Sequence, residues 1–188
     1  MAGNLACQED IRDEILDGKA VLMSPRPLTN HNIVIRNITT AFSSYLKGKK
    51  CCPFTDGIDV YLTPKDRVIP DVMIVCNRDI IKRNGIYGVP DLIVEVLSHG
   101  TEKKDRGYKK DLYERCGVRE YWLVDTENRT VEVHLLKDGK FVLDEVYKIF
   151  PDYVIMTDEE RAEYKNEVPI SLYDDFSIPL ADIFDELF

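Results

Sequence analysis

The stretch VPDLIVEVLSHG, residues 89–100, decides the fold of this chain. It has the pattern of a β-strand that is apolar nearly throughout, yet it carries Asp91 and Glu95. Side chains alternate between the two faces of a strand, so residues 91, 93, 95 and 97 share one face. Burial of an unpaired charge is costly. Glu95, in mid-strand, is therefore expected to have a partner elsewhere in the fold.

The segments that follow this strand predict a parallel crossover. Residues 101–116 have the pattern of a helix, Gly117 stands just past its end, and residues 120–125 form another apolar strand. A strand–helix–strand unit places its two strands in parallel, whereas the turn at 137–140 predicts an antiparallel hairpin. We therefore predict an α/β fold for a single domain, 1–188, with a central mixed β-sheet flanked by helices.

The remaining elements follow from periodicity and turn residues. They are a short acidic helix over 1–18, strands over 19–23, 58–62, 68–75 and 130–136, a helix capped by Thr29 or Asn30 and closed by Gly48, a polar loop over 77–88, and a charged helix over 158–166.

Composition narrows the class of protein. The chain has 188 residues, of which 44% are hydrophobic and 31% charged, and these values are typical of a folded domain. Its apolar runs are strand-sized and its N-terminus is polar and acidic, so we expect a cytoplasmic protein with no membrane segment. The five cysteines include no Cys-x-x-Cys pair, so we expect free thiols in a reducing compartment.

The net charge of −9 argues against a general electrostatic binder of nucleic acid. It does not exclude an enzyme that meets nucleic acid through a local basic patch and a bound cation. Two basic clusters occur, at 47–50 and 102–110. A solvated surface is the ordinary interpretation of such runs, and we favour it for the first cluster.

A second carboxylate lies within reach of Glu95. Asp71 stands in the middle of the predicted strand 68–75, and neighbouring strands lie about 4.8 Å apart. If the two strands pair with Asp71 beside Glu95, their carboxylates converge on one point. Two such oxygen ligands completed by water are typical of magnesium sites. Asp91 lies about 13 Å from Glu95 along the strand and is expected to be held by backbone N–H groups at the strand end.

The helix after Glu95 contributes a lysine. Asp105, Lys109, Leu112 and Cys116 are spaced four, three and four residues apart and share one helical face. The two apolar members mark that face as the inward one. Lys109 is thus expected beside the carboxylates, where it could orient a water or stabilise charge on a phosphate. Asp105 would pair with Lys109, although an ordinary surface i,i+4 ion pair is the alternative.

These residues carry a family resemblance. The segments VIPDVMIV at 68–75 and PDLIVEVLSHGTEKKDRGYKKDLYERCGVREYWLVDTENRTVEVH at 90–134 resemble the bacterial Uma-type family. The start, DEILDGKAVLMSP at 13–25, and the tail IPLADIF are also similar to that family. Its members are endonucleases, by assignment rather than by assay, of the PD-(D/E)XK superfamily.

The resemblance implies a restriction-endonuclease-like fold and a role for each matched residue. Asp71 and Glu95 would be the metal ligands, with Mg²⁺ as the cofactor and Mn²⁺ as an alternative. The usual lysine, two residues after the acid, is replaced by Leu97, and Lys109 would take its place. His31 matches a histidine near the start of the first helix and would face the site, although a packed or capping histidine is the alternative.

Three functions compete at this point. The leading hypothesis is a Mg²⁺-dependent nuclease whose partner is nucleic acid, with DNA favoured. A homodimer would fit, because the superfamily often uses two sites to cut two strands. The second is a non-catalytic module for binding nucleic acid or protein on a nuclease scaffold. The third, a carboxylate-pair hydrolase of the glycosidase type, is disfavoured because Trp122, the only tryptophan, lies in a predicted core strand.

Overall fold

The structure is a computed structural model that describes residues 13–22, 28–151 and 153–188. Its strands are β1 (Asp13–Leu16), β2 (Lys19–Leu22), β3 (Cys52–Thr55), β4 (Val60–Thr63), β5 (Asp66–Val68), β6 (Val72–Val75), β7 (Ile81–Lys82), β8 (Gly85–Tyr87), β9 (Leu92–Val96), β10 (Glu120–Asp125), β11 (Thr130–Lys137), β12 (Lys140–Lys148), β13 (Glu167–Pro169) and β14 (Ser177–Pro179). Its α-helices are α1 (Thr29–Leu46), α2 (Glu102–Lys104), α3 (Lys110–Cys116), α4 (Asp158–Glu163) and α5 (Leu180–Ile183).

The central sheet confirms the predicted mixed architecture. Its strand order is β12-β11-β10-β9-β6-β3. Strands β9 and β10 run parallel, as expected for a crossover through a helix, and the other neighbours are antiparallel. The turn between β11 and β12 is formed by Asp138 and Gly139, both at positive φ, as a tight hairpin requires.

A second six-stranded sheet, in the order β2-β1-β5-β4-β8-β7, was not predicted. The prediction of a helix over 1–18 is wrong for its described part, because residues 13–16 form β1 and pair with β2. Asp17 and Gly18 make the turn between them, with φ values of 51° and 74°. Residues 1–12 lie outside the described part of the chain.

Two other predicted elements are divided in the structure. The strand predicted over 68–75 ends at Val68 as β5, in the second sheet, and resumes at Val72 as β6, in the central sheet. Pro70 stands at the break, where its missing N–H cannot serve a ladder. The loop predicted over 77–88 contains a 3₁₀ turn and the short hairpin β7–β8.

The helix predicted over 101–116 is interrupted. A π-helical segment, Asp105–Lys109, separates α2 from α3, and Gly107 inside it has non-helical backbone angles. The predicted N-cap residues of α1, Thr29 or Asn30, are also wrong, whereas the helix closes at Gly48, with φ of 79°, as predicted. Leu28 occupies its N-cap position without a side-chain cap, and the Asn30 side chain instead bonds the backbone of Phe188.

The core lies on both faces of the central sheet. On one face, Leu92, Val94 and Val96 of β9 pack with the buried side of α1 and with α5. On the other face, Ile93 and Leu97 pack with α3 and with the inner side of the second sheet. No helix within the described ranges is both long and apolar enough to cross a membrane.

The expectation of free thiols is wrong for one pair of cysteines. Cys51 and Cys76 form a disulfide at the ends of the paired strands β3 and β6. The register that pairs Cys52 with Val75 brings these two residues opposite each other, which a sequence separation of 25 does not reveal. Cys52 and Cys116 are free, and Cys7 lies outside the described residues.

Candidate active site

Strand pairing brings Asp71 and Glu95 together as predicted. Val72 pairs with Val94 in the antiparallel β6–β9 ladder, so the next position of that register sets Asp71 opposite Glu95. Glu95 is 3% exposed and lies on the sheet face of Ile93, as alternation requires. Asp71 precedes the first residue of β6 and is 8% exposed. The two carboxylates therefore lie at neighbouring positions, close enough for the charge of Asp71 to raise the pKa of Glu95, and both are largely out of solvent.

The Lys109 side chain points toward the Glu95 carboxylate. Its Nζ lies 2.7 Å from Glu95 Oε1 and 3.5 Å from Asp105 Oδ1. The lysine is only 4% exposed, so the alternative of a surface i,i+4 ion pair does not hold. The following residue, Lys110, is half-buried and makes none of these contacts. Helical spacing had predicted this inward orientation.

The π-helical segment fixes the direction of both Asp105 and Lys109. Extra residues in a helical turn change the angle at which side chains leave the axis, and such bulges are frequent at functional sites. The Tyr121 hydroxyl donates to the Asp105 carbonyl at 3.0 Å and anchors this irregular turn to β10. Asp105 is 2% exposed, and its Oδ1 makes no hydrogen bond with the described residues.

Glu14 is a member of the cluster that sequence reasoning missed. It lies on β1, is 3% exposed, and its Oε1 stands 3.1 Å from Lys109 Nζ. The same oxygen accepts a hydrogen bond from the backbone N–H of Ile69. The missed signal was the Asp17–Gly18 pair, which predicts a hairpin and would have put Glu14 on a strand.

Tyr113 was also missed. Its hydroxyl donates to Glu95 Oε1 at 2.7 Å from a fully buried ring on α3. Tyr113 follows Lys109 by four residues, so the helical spacing that selected Lys109 was also the signal that could have found it. A buried tyrosine hydroxyl needs a hydrogen-bond partner, and Glu95 supplies one.

His31 reaches the cluster from α1. Its Nε2 lies 3.4 Å from Asp71 Oδ2, and its Nδ1 is buried with no hydrogen-bond partner in the described residues. The same Asp71 oxygen accepts a hydrogen bond from the Val96 backbone N–H at 2.7 Å. The first helix therefore brings His31 to the carboxylate side of the site, as the family resemblance implied.

Three carboxylates surround the ammonium group of Lys109, and this excess of negative charge shifts the pKa values of the site. Burial raises the pKa of Glu95 well above its ordinary value of 4.5, Lys109 opposes that rise, and the charges of Asp105, Asp71 and Glu14 add to it. Burial also raises the pKa of Asp105. Burial disfavours the charged form of Lys109, but the attraction of its carboxylate neighbours is greater and raises its pKa well above 10.5. Lys109 is therefore an ammonium at neutral pH.

The pKa of His31 is raised, as is that of Lys109. Burial lowers the pKa of His31, but the hydrogen bond and charge of Asp71, together with the charge of Asp56, outweigh burial. The net effect raises its pKa above 6.5. The imidazolium form is favoured because a carboxylate faces it.

The donor set is suited to a hard cation such as Mg²⁺. The contacts above fall on one oxygen of each carboxylate, Oδ2 of Asp71 and Oε1 of Glu95, so the second oxygens are the candidate ligands. Magnesium typically takes one or two protein carboxylates and keeps several waters. No group of three or more His, Cys, Asp or Glu side chains within the described ranges is arranged to hold a metal ion. Asp71 and Glu95 offer two oxygen ligands of the kind that magnesium takes from proteins.

Asp91 lies outside this cluster. Its Oδ2 accepts a hydrogen bond from the Cys76 backbone N–H at 2.7 Å, and Arg119 approaches its other oxygen at 3.8 Å. The expectation of a carboxylate held at the strand end by the backbone is confirmed.

Comparison with known families fits this geometry. Residues 4–160 match the model of the Uma2 family, described as "Putative restriction endonuclease". This chain belongs to that family. The match covers most of the sequence and includes the five residues of the predicted site, and a nuclease is the function class that the family description supports.

Two relatives show how far the likeness extends. An uncharacterized protein of Synechocystis sp., slr1290, is 27% identical over 135 residues, which cover 70% of each chain. A crystal structure of a "putative nuclease belonging to DUF820" from Anabaena variabilis superposes with a TM-score of 0.64 at 19% identity, over 92% of this chain and 89% of that one. The second comparison establishes the restriction-endonuclease-like fold.

Proposed function

We propose that this member of the Uma2 family is a Mg²⁺-dependent endonuclease that hydrolyses phosphodiester bonds of nucleic acid, with DNA as the substrate. The observation that carries the proposal is the meeting of Asp71 and Glu95 with the buried ammonium of Lys109. Mn²⁺ would serve the same two oxygen ligands. A homodimer and a cytoplasmic location remain predictions, and light scattering of the purified protein tests the first.

The proposed reaction divides the work among residues of the site. The second oxygens of Asp71 and Glu95 would hold the cation, which supplies a water of lowered pKa and polarises the phosphodiester. The ammonium of Lys109 would donate to a phosphate oxygen on which negative charge develops. Glu14 and Asp105 would keep that ammonium charged and aimed, since both lie within 3.5 Å of its Nζ.

His31 would hold a proton at Nε2 against Asp71 Oδ2. Together with the Val96 N–H, this contact would fix the Asp71 carboxylate so that its other oxygen faces the cation. Preorganised ligands of this kind need little rearrangement during the reaction.

Cleavage of supercoiled plasmid and of single-stranded DNA, with Mg²⁺ or Mn²⁺, tests the proposal. Wild type should cut, and chelation by EDTA should stop it. Asp71→Asn and Glu95→Gln should each lower the rate at least 100-fold, whereas Asp111→Asn, an exposed acid on α3, should cut at the wild-type rate. The expected loss follows from removing a charged metal ligand, and about 100-fold corresponds to roughly 2.7 kcal/mol of barrier.

Cleavage that survives both site substitutions in pure protein would refute the assignment. Salt-dependent DNA binding by a wild type that never cuts would instead favour the non-catalytic alternative.

A further inference from the structure

A groove with a volume of about 600 Å³ lies between α1 and β3, the edge strand of the central sheet. The outward face of α1 supplies most of its lining, and Thr55 at the end of β3 supplies the rest. Polar side chains dominate along the helix: Asn32, Arg36, Thr39, Thr40, Ser43, Ser44 and Lys47.

One end of the groove adjoins the candidate active site. The Thr55 hydroxyl donates to the backbone carbonyl of Asp71 at 3.5 Å, and Thr55 pairs with Val72 across β3 and β6. On the helical side, Asn32 follows His31, which contacts the Asp71 carboxylate. One lining residue on each side, Thr55 and Asn32, therefore lies at or beside a residue that contacts Asp71.

The groove is locally basic in a chain of net charge −9. Lys47 is exposed and makes no ion pair with the described residues. Arg36 pairs with Glu186, but both side chains are more than half exposed, and a surface pair of this kind is readily exchanged for another anion.

The hydroxyl groups are suited to the same ligand as the cations. Thr40, Ser43 and Ser44 are exposed in the groove, and the Oγ1 of Thr39 is buried without a partner in the described residues. Lysine, arginine, serine, threonine and asparagine side chains are the groups with which proteins contact the phosphates and sugars of DNA. These contacts position a strand without reading its sequence.

We propose that the α1–β3 groove binds the sugar–phosphate backbone of a DNA strand and guides it to the Asp71–Glu95–Lys109 cluster. Asn32 lies on α1 and Lys47, 15 positions later, directly follows the last residue of that helix, so the groove runs for about 22 Å at about 1.5 Å per residue. That length holds several consecutive phosphates. The inference rests on the proposed nuclease function for its choice of ligand, but it concerns binding and not cleavage.

Fluorescence anisotropy with a labelled single-stranded DNA oligonucleotide, in EDTA, tests the groove apart from catalysis. Lys47→Ala removes the unpaired cation, and Thr40→Glu puts a negative charge in the groove at an exposed helical position. Lys82→Ala is the matched control, because Lys82 is exposed on β7 in the other sheet and the change in net charge is the same. Thermal melts of all four proteins verify that each is folded.

We expect Lys47→Ala to reduce the slope of log affinity against log salt by about 0.7–0.9, the amount for one lost phosphate contact. Thr40→Glu should weaken binding at least fivefold, and the control should bind as wild type. Unchanged binding by both groove variants, or no binding by wild type, would overturn the proposal. An oligoribonucleotide that competes better than DNA through the same two positions would overturn the choice of DNA.

The experiments distinguish a failure of the groove proposal from a failure of the nuclease proposal. A wild type that cuts DNA while both groove variants bind normally refutes only the groove. Binding that depends on the groove in a wild type that never cuts upholds the groove and refutes the nuclease.

Discussion

Replacement of Lys109 by methionine tests the electrostatic logic of the site. Lys109 is the only cation within 4 Å of the Glu14, Glu95 and Asp105 carboxylates in the described part of the chain, and it is 4% exposed. Methionine keeps most of the side-chain volume and removes the charge. Three buried carboxylates are then left without their counter-ion.

The expected cost is large. Removal of one partner from a buried ion pair typically costs about 3–5 kcal/mol, and little solvent reaches this one to screen it. In a chain of this size each kcal/mol lowers the melting temperature by about 2–4 °C, so Lys109→Met should melt about 6–20 °C below wild type at pH 8.

The loss of stability caused by Lys109→Met should depend on pH in a defined direction. Burial already raises the pKa of Glu95 and Asp105, and Lys109 is the neighbour that lowers both. Without it their folded-state pKa values rise further, so the folded variant binds more protons than the unfolded chain above about pH 4.5. Its stability must fall as pH rises, and the gap from wild type should widen between pH 5 and pH 8.

Urea denaturation at pH 5, 6.5 and 8 measures this gap. Lys110→Met is the matched control, because Lys110 is adjacent in sequence but makes no contact with these carboxylates, and its cost should stay below about 1 kcal/mol at each pH. The reasoning would be refuted if the Lys109 and Lys110 variants were equally stable at pH 8, or if the gap narrowed as pH rose.

Three further predictions concern neighbouring groups. Tyr113→Phe removes the hydroxyl that donates to Glu95 and should cost about 1.5–3 kcal/mol in urea denaturation, because this hydrogen bond belongs to a buried cluster of charged groups. Glu120→Ala leaves the buried indole N–H of Trp122 without its acceptor and also removes two hydrogen bonds from the exposed Ser171, so it should cost about 2–3 kcal/mol by the same assay; a cost under 1 kcal/mol would contradict it. His31→Gln should lower stability most near pH 6, because the pKa of His31 is raised by Asp71 and that stabilisation is lost as pH rises through the folded-state value. A difference between His31→Gln and wild type that grows above pH 8 would contradict this.

Much of the site was predictable because it lies on regular elements. Alternation along β9 put Glu95 on the face of Ile93, and helical spacing turned Lys109 inward. To predict that Asp71 lies beside Glu95, it was enough to assume that β6 and β9 are neighbours in the register observed. Each of these inferences used one periodicity over fewer than ten residues.

The missed features depend on turns and on contacts between distant segments. Because a helix was predicted over 1–18, Glu14 was not placed on a strand. The turn at Asp17–Gly18 nevertheless has the same residue types and similar positive φ values as the correctly predicted turn at Asp138–Gly139. Acidic residues beside Asp17 favoured the helical interpretation, and only pairing with β2 and β5 makes the segment a strand.

The π-helical segment has a different cause. A spacing of four residues between Asp105 and Lys109 fits an α-helix, and the sequence contains no signal that one turn is widened there. Gly107 is the residue with non-helical backbone angles, and its missing side chain makes that departure inexpensive. The break in the predicted strand 68–75 was foreseeable, because Pro70 could not occupy a central strand.

Calorimetric titration of Mn²⁺ into wild type and Glu95→Gln, with a thermal melt of each, tests the central claim most directly. The account predicts saturable binding by wild type and its loss in a variant that melts within a few degrees of wild type, because the amide removes a charged ligand and relieves a buried negative charge. Equal binding by the two proteins, or a Glu95→Gln variant that fails to fold, would contradict it.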